Sequence, residues 1–315
     1  MVGDLRRLRS LLCVSLLVLL GACAGRGGTP DDGRIRIVTT IGMITDITER
    51  VGGEHVHVQG LMGPGVDPHL YKARAGDVRK LTEAQIIFYG GLHLEAAMGE
   101  VLEEMSSRTT SVAVTDSIPR ALLLRPSGYA GTWDPHVWFD VELWMYAVEA
   151  VERTLSAYDP AHAAEYARNA GVLLAELREL DDWVHTQVGT LPEERRVLVT
   201  AHDAFSYFGR AYGFRVIGLQ GISTATEAGT RDVQRLADEI ARLRIPAIFV
   251  ESSIPRRTVE AVQAAVAARG HRVAIGGELF SDALGTAGTP EGTYIGMVRH
   301  NVSTIVRALG GVVTE

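Results

Sequence analysis

Two series of short apolar runs rich in β-branched residues, separated by a long stretch with no strand signal, constrain this chain more than any other feature. The first series is RIRIVTT, VHVQGLM, QIIFYGG and TSVAV; the second is RRVLVTA, RVIGLQ, PAIFVES and HRVAIGG. Amphipathic segments follow most of them, in the second series around 203–212, 231–244, 256–269 and 294–309. Strand runs alternating with helical patterns predict βα units and a parallel sheet in each half. From about Val141 to Leu191 the pattern is helical only, broken at Asp159-Pro160. Proline suits a first helical turn, so a single helix is expected from Pro160 to about Val188, roughly 40 Å long at about 1.5 Å per residue. The expected architecture is α/β, with two parallel-sheet lobes, 35–158 and 191–315, bridged by one long backbone helix within 159–190. At 46% hydrophobic residues, 315 positions supply enough apolar surface for one large or two medium lobes, and the two series favour two.

Asp-Pro-His occurs twice, as Asp67-Pro68-His69 and Asp134-Pro135-His136. In each copy proline fixes its own φ and pushes the aspartate toward extended geometry, so the histidine leaves a stiff turn and can be aimed. His202 in VTAHDAF and Asp282 in ELFSDAL complete a candidate set whose members stand 67, 66 and 80 positions apart, far too wide for a local zinc knot. In open α/β sheets ligands bind beyond the carboxyl ends of strands. His69 and Asp282 follow strand runs, His202 ends one, and His136 lies in a loop leading into the helical region. Two candidates come from each half, which puts the expected metal site in the cleft between lobes.

Three neutral imidazoles and a carboxylate suit zinc and can hold manganese, whereas calcium or magnesium favours more oxygens. Asp67, Asp134 and Asp203 are candidates to orient an imidazole ring, with turn capping as the competing role. Glu251, at the end of PAIFVES, has the same two options, and a cap or turn competes for Asp282. The remaining seven histidines read as strand, helix or loop surface positions, with His55 and His57 alternating on a strand.

Arg6, Arg7 and Arg9 precede an apolar run from Leu11 to Leu20, and Leu20-Gly21-Ala22-Cys23 closes it. The run is too short for a permanent membrane span, and the closing residues form a lipobox. Residues 1–22 are therefore expected to be a lipoprotein signal peptide, Cys23 the lipidated mature N-terminus, and 23–34 a flexible glycine-rich tether. Cys23 would be the only cysteine left, so no internal disulfide is expected. The net charge of −7 becomes about −9 once a segment with three arginines and one aspartate is removed. That balance disfavours nucleic acid and is compatible with attracting cations.

The stretches GVDPHLYKA, GTWDPHVWFD, RRVLVTAHDAFSYFGRAYGF, GLQGISTATEA, IFVESSIP and IGGELFSDALG carry a resemblance that covers nearly all of the mature chain. It resembles the cluster A-I metal-binding lipoproteins, the TroA, PsaA and ZnuA family of solute-binding components of metal ABC transporters, and most of all the TroA branch. The resemblance implies a monomeric extracytoplasmic receptor, anchored to the cell membrane by its lipid, that hands Zn²⁺ or Mn²⁺ to a permease and its ATPase. It also implies His69, His136, His202 and Asp282 as the metal ligands. Manganese-selective members usually have glutamate where His202 stands, and zinc-specific members usually carry a histidine-rich acidic loop, yet about Ser117 to Thr132 holds no histidine. Zinc and manganese both stay open, with three imidazoles favouring zinc at equal geometry.

The rival reading is a secreted zinc hydrolase, since three histidines with an open fourth position support catalysis. Asp282 would fill that position, and the chain has neither a His-Glu-x-x-His helix nor a nucleophile elbow, so no enzyme is expected. A surface adhesin with a structural metal leaves no sequence mark of its own.

Overall fold

The computed structural model describes residues 33–126 and 131–314. The expected signal segment, Cys23 and all of the tether except its last two residues lie outside them. Among the described residues no helix is long and apolar enough to cross a membrane.

The first four apolar runs form β1 (Ile35–Thr39), β2 (Val56–Gly60), β3 (Ile86–Tyr89) and β4 (Thr110–Ala113), a parallel sheet in the order β2-β1-β3-β4. Helices α1 (Gly42–Gly52), α2 (Ala75–Glu83) and α3 (Gly99–Ser106) make its crossovers. Covered strands need apolar residues on both sides, which is why β3 reads IIFY without alternation.

The second series forms β5 (Val197–His202), β6 (Arg215–Gln220), β7 (Ala247–Glu251) and β8 (Ala274–Leu279). Here β5 pairs with β6 and β7 with β8, all parallel, and β5 lies beside β7. The spatial order β6-β5-β7-β8 repeats that of the first lobe. Helices α6 (Ser206–Tyr212), α7 (Thr230–Leu243) and α8 (Arg257–Ala267) connect these strands, and α9 (Tyr294–Ala308) closes the lobe.

Between the sheets run α4 (Val141–Tyr158) and α5 (Ala163–Gly189). Asp140 starts α4 by accepting the Leu143 N–H at 3.1 Å. The long helix begins three residues later than Pro160, because Asp159 draws the chain into a turn: its carboxylate accepts from His162 Nδ1 at 2.6 Å and from the Tyr166 hydroxyl at 2.9 Å. Helix α5 packs on α4 and α1 on one side and on α6 and α9 on the other, so it does bridge the lobes. Its 27 residues span about 40 Å.

The apolar core does not divide as the sheets do. One continuous cluster runs from β1, β3 and α1 through Leu173, Leu177 and Leu180 of α5 to Phe205, Phe249, Met297 and Ile305. A smaller second cluster lies between the C-terminal strands and α7 and α8. The four-stranded first sheet and the two two-stranded ladders of the second series are thus fastened to one spine through shared burial.

Candidate metal centre

His69 lies nine residues beyond the end of β2, in a loop from 61 to 74; His136 precedes a short 3₁₀ turn at Val137–Phe139; His202 is the last residue of β5; Asp282 follows β8. All four are buried, at most 5% exposed. One ligand atom from each lies within 4.8 Å of those of the others. His69 Nε2 is 3.3 Å from His136 Nε2, Asp282 Oδ1 is 3.5 Å from His136 Nε2, and Asp282 Oδ2 is 3.4 Å from His202 Nε2. Ligands held about 2.0–2.1 Å from a tetrahedral zinc ion stand roughly 3.3–3.4 Å apart, so these spacings leave room for one ion and little else. His202 Nε2 and Asp282 Oδ1 have no hydrogen-bond partner although both are buried. Groups left so in a protein interior need an explanation, and a cation between them supplies one.

The backbone aims the rings through carboxylates. Asp134 Oδ1 accepts both the His136 N–H at 3.0 Å and Nδ1–H at 2.7 Å, which turns Nε2 into the site. Glu251, ending β7 beside β5, does the same for His202: Oε1 accepts the N–H at 2.9 Å and Oε2 the Nδ1–H at 2.5 Å. Asp67 accepts the His69 N–H at 2.9 Å and makes no bond to the ring, while Asp203 accepts from Ser206 Oγ at 2.7 Å. The open choice between ring support and turn capping therefore resolves residue by residue. Asp134 and Glu251 hold rings; Asp67 caps a turn, and Asp203 ties instead to the Ser206 hydroxyl at the start of α6. Ser253 Oγ bonds Ser281 Oγ at 2.9 Å and reaches Asp282 Oδ2 at 3.4 Å.

Burial holds the His69 imidazolium well down, to about 3, against the pull of Asp282, so the ring is neutral in ordinary conditions and able to act as a ligand. For Asp282 burial acts to raise the pKa, but His202, His136 and His69 together hold the carboxyl below its usual range. Burial alone would lower His202; the carboxylates of Glu251 and Asp282 outweigh it and raise that ring well above the ordinary value.

A second group with ligand atoms this close, Glu54, His55 and Glu165, is exposed or half-buried. His55 sits in a 3₁₀ turn just before β2 and not on the strand; its Nε2 bonds Glu165 at 2.9 Å and its ring stacks on His162. That pairing accounts for the contact without an ion.

Two α/β lobes on a helical spine, closing on three imidazoles and a carboxylate, define a metal-binding solute receptor. The chain belongs to the ZnuA family, described as zinc-uptake complex component A, periplasmic, whose model matches residues 37–308. It is 53% identical over 306 residues to the zinc-binding protein TroA of Treponema pallidum, covering 96% of this chain and 99% of that one. It is 46% identical over 302 residues to the manganese-binding lipoprotein MntA of Bacillus subtilis, covering 96% and 98%. The solved structure of the periplasmic zinc-binding protein TroA from Treponema pallidum superposes with a TM-score of 0.86 at 55% identity, covering 88% of this chain and 99% of that one. Membership sets aside the hydrolase and adhesin alternatives: the family is one of receptors, not enzymes.

Proposed function

We propose that the chain captures Zn²⁺ or Mn²⁺ outside the cytoplasm, tethered to the cell membrane by lipid on Cys23, and delivers the ion as a monomer to an ABC permease driven by its ATPase. The ion is the cargo, held by His69, His136, His202 and Asp282. The observation that carries this reading is the set of buried ligand atoms at 3.3–3.5 Å, two of them without partners. Three imidazoles at tetrahedral spacing favour zinc over manganese by the ordinary order of divalent affinities. Relatives named for each metal support both as cargo. The lipobox and the relatives named as lipoproteins support the anchor.

The test is metal content of protein purified from its own compartment, together with Zn²⁺ and Mn²⁺ titrations of the apoprotein. Zinc is expected to bind more tightly than manganese, and His136→Ala to abolish tight binding of either. Affinity no better than micromolar for both ions, or binding that survives His136→Ala, would refute the assignment. Labelling with radioactive palmitate, lost in Cys23→Ala, tests the anchor separately.

A further inference from the structure

The two halves of the site are tied to the C-terminal lobe very unequally. On the His136 side, the Tyr207 hydroxyl bonds the Asp134 carbonyl at 2.9 Å, Trp138 Nε1 bonds the Ser281 carbonyl at 3.0 Å, and the Tyr294 hydroxyl bonds the Trp138 carbonyl at 2.7 Å. Phe139 also stacks on Phe205 with ring centres 4.1 Å apart. All of these groups are buried. The His69 loop is anchored at its ends within its own lobe, by Leu61 and Met62 on β1 and by Tyr71 on Asp77. Across its middle, one side-chain bond to the other lobe is present: Thr224 Oγ1 donates to Asp67 Oδ2 at 2.5 Å. The other oxygen of the same carboxylate holds the His69 N–H. Thr224 is 7% exposed although Ala225 to Glu227 beside it are exposed. A groove of about 480 Å³ runs past this bond, lined by Asp67, Leu70, Thr224, Ser253 and Ile254, and Ser253 reaches Asp282.

The geometry points to Asp67 and Thr224 as an interlobe latch that sets the rate of metal release through His69. His136, His202 and Asp282 form a tripod held by buried interlobe bonds and by β5, β7 and β8. His69 is the ligand that departs first. Its loop swings when the Thr224 hydroxyl lets go of Asp67, and the groove then opens onto the ion. Thr224 is a positioning residue in this scheme and touches no metal. A charge-assisted bond of this kind, lost without a replacement, loosens the closed state by about tenfold or more.

This inference rests on the reading that His69 holds the ion, and the experiment separates the two. Zn²⁺-loaded full-length mature protein is mixed with excess chelator, and release is timed for wild type, Thr224→Val, Thr224→Ser and Asp67→Asn. Thr224→Val is expected to release zinc about tenfold faster with little change in the association rate, and Thr224→Ser to restore the wild-type rate. Asp67→Asn, which keeps an acceptor for His69 but weakens the bond to Thr224, should fall between them. Hydrogen exchange of the apoprotein should rise in Thr224→Val across residues 61–74 and not across 131–140. If wild type takes up no zinc, the ligand assignment fails first. If wild type binds zinc but Thr224→Val matches it in release and exchange, or Thr224→Ser does not rescue, the latch is refuted.

Discussion

At the scale of single residues, two of the three imidazoles, His136 and His202, have their far nitrogens held by carboxylates. Glu251 holds His202 by backbone and ring at once, so Glu251→Gln is expected to keep the fold and weaken zinc binding about 10- to 100-fold, the usual effect of losing such a ring partner. Chelator competition with the purified variant measures it; unchanged affinity would mean that β5 alone orients the ring. Titration follows from the same contacts. His202 is raised in the apoprotein, so a proton occupies the nitrogen proposed to hold the ion. Apparent zinc affinity should therefore climb with pH, by up to about tenfold per unit, until the ring titrates in the apoprotein. Calorimetry in two buffers of different ionisation heat should count about one proton released per ion. Apoprotein stability has the opposite slope over that interval: the His202 contribution is whole below its unfolded pKa of about 6.5 and is lost as pH rises through the folded value. Asp282, held low, contributes stability above the unfolded carboxyl range and loses it in strong acid.

At the scale of elements, α5 does the work of a spine because one of its faces is apolar along its whole length. Tyr166, Ala170, Leu173, Leu177, Leu180, Val184 and Val188 are buried at helical spacing, while Val172 stands 56% exposed. Leu177→Ala should cost about 3 kcal/mol and lower Tm by about 5 °C in a domain of this size. Val172→Ala should change stability by less than about 0.5 kcal/mol. Thermal melts of the two apo variants check the contrast, and equal losses would show that the face is not the one packed. The existence and span of this helix were legible from its strandless, periodic sequence; its start was not. Pro160 reads as a first-turn residue, but the side chains of His162 and Tyr166 converge on Asp159 and hold 159–162 as a turn.

At the scale of the whole molecule, one apolar cluster shared by both lobes and the spine argues against a wide clamshell. Solution scattering should give the same radius of gyration for apo and zinc-loaded protein within error; a large contraction on loading would contradict the fixed spine. Metal should nonetheless stabilise strongly, because the ion binds only the folded arrangement. At a thousandfold excess over Kd the gain is about 4 kcal/mol, seen as a Tm rise of roughly 7 °C that His136→Ala abolishes.

The eight strands, the helical interlude and the paired histidines of Asp-Pro-His were readable from local period and motif, whereas Asp282, a candidate for which a cap or turn competed, was marked as a ligand through the family resemblance. The Asp-Pro-His repeat announced aimed imidazoles, yet its two copies diverge once folded. Asp134 grips its own ring, whereas Asp67 caps the turn and reaches Thr224 in the other lobe. Glu251 could not be told from a helix cap, since what makes it a ring partner is β7 lying beside β5. Thr224 gave no signal, having a small hydroxyl in an otherwise exposed segment. Local pattern specifies which element a residue enters and which face it shows. Only packing brings together side chains 49 or 157 positions apart, and so only tertiary structure decided which carboxylate steadies a ring and which closes the cleft.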